Sequence, residues 1–592
     1  MNARYQSKKW NISSQDEEKV ALLARALKTS PILARVLINR GSDEVESATR
    51  FLNPKLSGLS HPFLIRDMEQ ASHHLARAIR NGKKITIFGD YDVDGVTGTS
   101  ILHLFIKHFN GNVDYYIPDR KNEGYGLNIP ALCRIVEQGT ELVVTVDCGI
   151  GNINEARFLS EKGVDLIITD HHEIPQELPS AQCIVNPKLG DENSPLRHLA
   201  GCGVAFYLAL GTRLVLRESG YFKDNLPNLK EYLDLVALGT LADILPLSGD
   251  NRILVQYGLK QLINTKRPGI AALRKVCSLS LTKEISTEQV NFLFAPRLNA
   301  AGRMGSAIEA VKLLTTDDPY LAKEIAESLN EKNNIRQRIE DETLCEAIRM
   351  IEEGEDDLYP ESIVLARESW DIGVLGIVAS RVMEEYYKPT VLFNYSSDLL
   401  RGSARSIKSF HLYDGLCQCK DLLLSFGGHK YAAGLRMETN NLGMFRMVFN
   451  DIVKSSVIDG DFIPEIELDA TITLDCLNAR LLREMSMMEP FGPGNPEPTF
   501  STHDLVIEDV AIFNNKHLRL KVREGDSVYS AIGFRMGKNL INGECGHKEG
   551  QDVFPLWCKK KKAKLAFTPF LNEWQGIKSI QLRLKDIRFV DD

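Results

Sequence analysis

Lys84-Ile85-Thr86-Ile87-Phe88-Gly89-Asp90-Tyr91-Asp92-Val93-Asp94-Gly95 is the stretch that decides the fold. Lys84–Phe88 reads as a short buried strand, and the glycines and three carboxylates after it read as a turn. Leu142-Val143-Val144-Thr145-Val146 repeats that arrangement and runs into Asp147-Cys148-Gly149. Asp165-Leu166-Ile167-Ile168-Thr169 repeats it again and runs into Asp170-His171-His172-Glu173. Short apolar strands with carboxylates just past their C-terminal ends, separated by helical stretches, indicate a parallel α/β sheet. In such sheets sites form outside the carboxyl ends of the strands, so the three segments should meet at one edge. Gly239-Thr240-Leu241-Ala242-Asp243 adds a fourth acid after a helical stretch.

The chain outside this region is long enough for more. At roughly 100–200 residues per domain, 592 residues predict several domains. Residues 1–60 carry helical periodicity, as in Val20–Ala24 and Ile32–Leu37, and 61–317 hold the first α/β region. Asp318-Pro319 reads as a helix start, and the charged, Pro- and Gly-free run that follows predicts one long solvated helix over 318–353. A second α/β region is expected at 354–460, with strands at Ser362–Ala366 and Thr390–Phe393. Pro490–Pro496 reads as a hinge or loop. Within 461–592, alternating segments such as His517–Val522 and Ile580–Leu584 favour a small β-barrel. The expected fold class is therefore α/β: two α/β domains joined by a long helix, plus a C-terminal barrel.

Composition excludes several classes. The chain is 43% hydrophobic and 25% charged, the profile of a folded globular protein and not of a disordered or collagenous one. No stretch approaches the ~18–20 uninterrupted apolar residues of a membrane span. Met1–Lys9 leads into polar sequence, unlike a signal peptide. The 11 cysteines are scattered singly, and Cys417 and Cys419 lack zinc-ligand spacing, which fits a reducing, cytoplasmic setting. Net charge is −8, yet Ser501–Asp592 holds 16 Lys and Arg against 12 Asp and Glu, which leaves −12 for the rest. Acids gather where divalent cations bind and bases where phosphates bind.

Asp90, Asp92 and Asp94 alternate, so in extended backbone they would project to one side. Crowding carboxylates costs several kcal/mol for each uncompensated charge, a cost that one or two divalent cations offset. Asp-rich ligand sets with an imidazole suit Mn²⁺ or Mg²⁺ better than structural zinc. Asp-Tyr-Asp-Val-Asp-Gly could instead be a plain turn or half of a calcium loop. An EF-hand loop, however, needs Glu at its twelfth position, where Ile101 stands. Asp-His-His could also be a helix cap followed by surface histidines, but four acids at the ends of predicted elements favour a metal site.

These residues carry a family resemblance. Asp170-His171-His172 resembles the signature of the DHH phosphoesterases. Pro118-Asp119-Arg120 with Gly124-Tyr125-Gly126-Leu127, and Leu298–Gly305, resemble the RecJ single-strand exonucleases. So do Gly373–Arg381 and Gly402-Ser403-Ala404-Arg405-Ser406, and Gly427-Gly428-His429 with Ala432-Ala433-Gly434 resembles the companion DHH-associated domain. The order matches the family along about residues 10–592. One position departs: Trp370 is followed by Asp371, where the family usually has His.

The resemblance implies a metal-dependent 5′→3′ exonuclease that degrades single-stranded DNA to 5′-mononucleotides in repair and recombination. It implies two Mn²⁺ or Mg²⁺ ions held by Asp90, Asp92, Asp94, Asp147, His171 and Asp243, activating water and clamping the scissile phosphate. Which acid bridges the ions, and whether Asp90 binds directly, stays open. Asp170, His172 and Arg303 complete the expected catalytic set. His172 would either face the phosphate or orient His171. Arg303, in a Gly-rich turn, would grip the scissile or adjacent phosphate, since its planar fork suits phosphate oxygens. Ser403 and Arg405, projecting together from a strand edge, would form a 5′-phosphate pocket with Arg120, and His429 would contact substrate. The C-terminal barrel would be an OB fold binding single strands through Lys516, Arg519, Lys521, Trp557, Lys559, Lys560, Phe570 and Trp574, or these are ordinary barrel residues. The implied partners are single-stranded DNA and, beyond it, a single-strand-binding protein or helicase, with no membrane. Two other readings are a nano-RNA or cyclic-dinucleotide phosphodiesterase and a non-catalytic DNA-binding relative. The first does not account for the C-terminal region, and the second would be expected to have lost metal ligands.

Overall fold

The computed structural model describes residues 8–590 apart from 121, 222–224, 281–283, 355–357, 397, 515–516, 538–558 and 575. The chain divides into two compact units, one made of Arg50–Arg336 with Glu489–Pro496, the other of the remaining segments.

The first unit is built on a five-stranded sheet in the spatial order Val113–Tyr116, Ile85–Gly89, Leu142–Val146, Asp165–Thr169, Cys183–Val185. Every neighbouring pair is parallel. Ile85–Gly89 and Leu142–Val146 are buried along their whole length, as central parallel strands covered on both faces must be. Gly89, Val146 and Thr169 end three adjacent strands, so Asp90, Asp147 and Asp170 leave the sheet side by side. Helices Val93–His108, Gly201–Glu218 and Leu233–Ala242 pack into the same core, and the last is buried on nearly every side. Its Asp234 is compensated by Arg267 at 3.1 Å and by the Thr265 hydroxyl at 3.0 Å.

The second unit contains a five-stranded sheet in the order Ser425–Gly428, Ala432–Glu438, Leu399–Arg405, Thr390–Ser396, Ile363–Arg367. Only the last pair is parallel. Leu399–Arg405 is thus the middle strand, and the expectation that Ser403 and Arg405 lie on a strand edge is corrected. The same unit holds the C-terminal barrel. Lys562–Trp574, Leu505–Phe513, His517–Glu524, Ser527–Gly533 and Ile577–Val590 pair in sequence, and the last pairs back with the first, closing the ring. Closure removes exposed sheet edges, and alternating burial along His517–Glu524 puts Leu518, Leu520 and Val522 inside. The expected fold class is borne out.

Pro319–Glu352 is one helix, as expected, with Asp318 accepting from the Tyr320 amide at 2.8 Å. It is not solvated all round. Ala322, Ala326 and Leu329 are fully buried in the first unit's core, and Ala347 and Met350 in a core of the second. Residues 1–60 are not helical throughout either. Lys9–Ile12 is a strand pairing in parallel with Glu465–Leu468, a partner so distant in sequence that local periodicity gives no sign of it. Pro490–Pro496 is an anchored loop: Arg252 donates to the carbonyls of Glu489 and Pro490, and Leu247 N–H donates to Pro493 O at 2.7 Å.

Candidate metal centre

The carboxylates leave the sheet edge in three different ways. Asp92 is the N-cap of the Val93–His108 helix, and its side chain accepts from the amides of Asp94 at 2.9 Å and Gly95 at 3.1 Å. Asp94 lies in the first helical turn, so the three acids are not displayed from extended backbone as the alternation suggested. Gly95 is required by close approach: a Cβ there would stand 2.6 Å from the Asp90 amide nitrogen. Asp147 has φ +62, a left-handed conformation that costs free energy for a residue with a side chain. Strain of this kind persists where the surroundings over-determine it. Asp243 is the C-cap of Leu233–Ala242.

These acids meet the histidine pair. His171 Nε2 is 3.0 Å from Asp147 Oδ1, 3.6 Å from Asp243 Oδ2 and 3.7 Å from Asp94 Oδ2. Three overlapping groups have ligand atoms within 4.8 Å of one another: Asp90, Asp92 and Asp147; Asp94, His171 and Asp243; Asp147, His171 and His172. All six residues expected as metal ligands are therefore brought together.

The electrostatics state what the cluster lacks. Burial, then the neighbouring Asp92 charge, pushes the Asp90 carboxyl well above its ordinary range. Burial and the other carboxylates do the same to Asp147 and hold Asp243 up at about 8. Asp94 is raised by burial, against the opposing influence of His171. Burial depresses His171 to about 4, which leaves it neutral and able to donate a lone pair. Asp90 Oδ1 and Asp147 Oδ1 are buried without a hydrogen-bond partner. Orphaned carboxylate oxygens facing a neutral imidazole are the donor set of a hard divalent cation, so the residues present fit Mn²⁺ or Mg²⁺.

Asp170 takes a different part. It is fully buried, and its Oδ1 accepts from the His171 and His172 amides while its Oδ2 accepts from Ile150 N–H at 3.0 Å. Its Oδ1 also lies 2.8 Å from His172 Nδ1. Burial pushes His172 down, but the Asp170 hydrogen bond and charge outweigh it and hold the imidazole up at about 9, protonated near neutrality. Tyr125, whose chemistry the sequence did not disclose, donates to Asp147 O at 3.1 Å and sits 3.0 Å from His172 Nδ1. The amides of Gly201 and Cys202, equally unforeseen, both donate to the Asp94 carboxylate.

Arg120 lies 5.0 Å from the ring of Tyr91, and Arg303 also reaches Tyr91 electrostatically, so both cations flank the Asp90–Asp94 loop. Arg303 occupies the last turn of the Ala295–Met304 helix, which corrects the Gly-rich turn expected for it. That helix is tied to the loop by Asn299 Oδ1, which accepts from Val93 N–H at 3.2 Å.

In the second unit, Arg405 donates to the Ser403 hydroxyl at 3.2 Å, the Ser380 hydroxyl at 3.1 Å and Ala404 O at 2.8 Å, so Ser403 orients it. His429 stands exposed at the turn between two strands, closed by its amide donating to Ala432 O at 2.8 Å. Asp371 caps the Ile372–Tyr386 helix by accepting from Gly373 N–H at 2.7 Å. On the barrel, Arg519 and Lys521 line a cavity of about 320 Å³ with Tyr529 and Ser530. Lys521 pairs with Glu508 at 3.2 Å and Lys559 with Asp509 at 3.8 Å, while the Arg583 guanidinium lies 5.8 Å from the Phe570 ring. Lys560 is exposed at φ +72. Lys516, Trp557 and the side chain of Trp574 lie outside the described residues.

Comparison with known proteins agrees with this architecture. The DHH family N-terminal domain matches residues 84–240, the DHHA1 domain 361–455 and the RecJ OB domain 468–586. The single-stranded-DNA-specific exonuclease RecJ of Bacillus subtilis (strain 168) is 37% identical over 575 residues, covering 96% of this chain and 71% of that protein. Its namesake from Escherichia coli (strain K12) is 34% identical over 583 residues, covering 94% and 96%. The crystal structure of RecJ from Thermus thermophilus in complex with Mn²⁺ superposes with a TM-score of 0.81 at 29% identity, over 100% of this chain and 81% of that one. The same protein in complex with Mg²⁺ gives a TM-score of 0.76 at 27% identity, over 99% and 79%. Sheet edge, acid–histidine cluster, closed barrel and end-to-end similarity lead to one conclusion: the chain belongs to the RecJ family of single-stranded-DNA-specific exonucleases.

Proposed function

We propose that this chain hydrolyses single-stranded DNA from its 5′ end, releasing 5′-mononucleotides, in the service of DNA repair and recombination. The observation that carries this reading is the cluster of Asp90, Asp92, Asp94, Asp147, His171 and Asp243, with two buried carboxylate oxygens left unpartnered. Two divalent ions held there would supply Lewis-acid activation of water and neutralise charge on the scissile phosphate.

The chain's own residues do the rest. Asp94 is fixed by two amides before any ligand arrives. His172, kept protonated by Asp170 and braced by Tyr125, offers a donor and a positive charge to a phosphate oxygen. Arg120 and Arg303 grip the backbone beside the acidic loop. Arg405, oriented by Ser403 and Ser380, is the proposed holder of the terminal 5′-phosphate, with His429 as a further substrate contact. Capture of a phosphorylated 5′ end sets polarity. The barrel's basic and aromatic residues are proposed to track the strand.

By this reading 61–317 is the catalytic region, 354–460 the associated one and 461–592 the nucleic-acid-binding one. Single strands arise by unwinding and are held by binding proteins, so a helicase or single-strand-binding protein is the partner class, and the cytoplasm the setting. Among the described residues, no helix is long and apolar enough to cross a membrane.

The test is product analysis on end-labelled single-stranded and duplex oligonucleotides with Mn²⁺, Mg²⁺ or chelator. Mononucleotides released from the 5′ end of single strands alone, and only with metal, support the reading. Release from the 3′ end, or activity in chelator, contradicts it.

A further inference from the structure

Ile244 is held in an unfavourable conformation without an evident structural return. It has φ +57, and of the ten described non-glycine residues at positive φ it alone is β-branched. Branching at Cβ makes the left-handed region especially costly. The position is the residue after the C-cap of Leu233–Ala242, where the chain reverses. Ile244 N–H donates to Leu241 O at 3.1 Å, and Leu245 N–H to Thr240 O at 3.5 Å. Glycine is the residue that such a reversal favours. Packing does not compensate, because the Ile244 side chain is 67% exposed.

The segment is braced to hold this conformation. Pro246 O accepts from the Asn251 side chain at 3.1 Å, and Leu247 N–H donates to Pro493 O at 2.7 Å. Gly494 packs against Pro246 and Gly492 against Leu247. An over-determined, strained residue is a marker of function. Ile244 directly follows Asp243, whose Oδ2 is 3.6 Å from His171 Nε2. Consecutive Cα atoms are about 3.8 Å apart, so the exposed side chain stands within a nucleotide's length or two of the metal centre.

We propose that the Ile244 side chain packs against the base of a nucleotide bordering the scissile phosphate. This rests on the single-strand substrate reading above. The sugar–phosphate backbone is lined with oxygens, whereas every base offers an apolar face, so an aliphatic contact is indifferent to sequence, as an end-processing nuclease requires.

The test is a cycle of two enzymes and two substrates: wild type and Ile244→Gly, each on an ordinary single strand and on one with abasic residues flanking the first scissile phosphate. Glycine relieves the backbone, so the melting temperature should equal or exceed that of wild type. On the ordinary strand, KM should rise roughly five- to tenfold, as expected for losing a partly buried aliphatic contact. Wild type should show a similar rise on the abasic strand, and Ile244→Gly no further rise there. If Ile244→Gly matches wild type on both strands, or loses equally on both, the base contact is wrong while the substrate reading stands. If wild type does not cleave the ordinary strand, the substrate reading fails and the contact with it.

Discussion

The Asp94 carboxylate is clamped by Gly201: the Gly201 amide donates to Oδ2 at 2.6 Å, and the next amide, Cys202, donates to Oδ1 at 2.8 Å. These amides open the Gly201–Glu218 helix, so the N-terminal end of its dipole also favours the negative charge. A Cβ at position 201 would fall 2.6 Å from Asp147 Cβ and 2.8 Å from its Oδ1, so only glycine lets helix and ligands coexist. Gly201→Ala should therefore displace Asp147 or Asp94. Calorimetric titration with Mn²⁺ should show affinity falling by about ten- to a hundredfold, with the helical circular dichroism retained. Unchanged affinity would mean that Asp94 needs no such clamp.

Arg405 is expected to set end preference. A phosphate bound by its guanidinium makes charge-assisted hydrogen bonds worth ~1.5–3 kcal/mol. Arg405→Ala should lower the preference for 5′-phosphorylated over 5′-hydroxyl strands by roughly ten- to a hundredfold, with much less effect on the hydroxyl-ended strand. Equal losses on both ends would assign Arg405 to an internal phosphate.

The N-terminal strand carries a pH-dependent anchor. Trp10 Nε1 donates to Asp586 Oδ2 at 2.7 Å, while Asp586 Oδ1 is buried without a partner. Burial raises the Asp586 carboxyl from 3.8 to about 7. An acid raised on folding stabilises fully below its unfolded value and loses that contribution as pH climbs to the folded one. Asp586→Asn keeps an acceptor for Trp10 and removes the charge. Melting temperature should rise relative to wild type at pH 8 and show no gain at pH 4, the difference opening between about 4 and 7. A gain independent of pH would contradict the assignment.

On the barrel, Arg519 should contribute one phosphate contact. Arg519→Ala is expected to reduce the slope of log affinity against log salt by about 0.7 on single-stranded DNA. Deleting Ser501–Asp592 is the poorer test, because Phe500–Ser501 pairs with both Ala470–Thr471 and Lys562–Trp574, and the cut would open a shared sheet.

Much of this was legible in the sequence because it is local. Apolar runs ending in Asp90, Asp147 and Asp170 name three parallel strands, and parallel pairing alone places those acids at one edge. The long helix announced itself through Asp318-Pro319, though its buried stripe of Ala322, Ala326 and Leu329 did not stand out amid the charge. What stayed hidden depends on distant partners or on backbone angles. The strand Lys9–Ile12 finds its partner more than 450 residues away. The helix start that clamps Asp94 is about a hundred residues from it, and Gly201 does not reveal whose side chain it accommodates. Tyr125 stood within a recognised motif, yet only geometry shows that its hydroxyl reaches Asp147 O. Alternation of Asp90, Asp92 and Asp94 suggested side chains projecting together from extended backbone, because helix capping by Asp92 gives the same spacing.

The central claim is that the buried acids exist to hold divalent ions and not to stabilise the fold, and Asp147→Asn tests it most directly. Asn tolerates the left-handed backbone that Asp147 adopts, so the substitution removes charge and leaves the shape. Burial and four neighbouring acids push the Asp147 carboxyl up, so neutralising it relieves strain in the metal-free protein. Turnover of a 5′-phosphorylated single strand should be measured in Mn²⁺-controlled buffer, alongside the melting temperature in chelator. The expected result is turnover reduced by more than ~100-fold together with a higher melting temperature. Wild-type-like turnover, or lost activity accompanied by a lower melting temperature, would contradict the account.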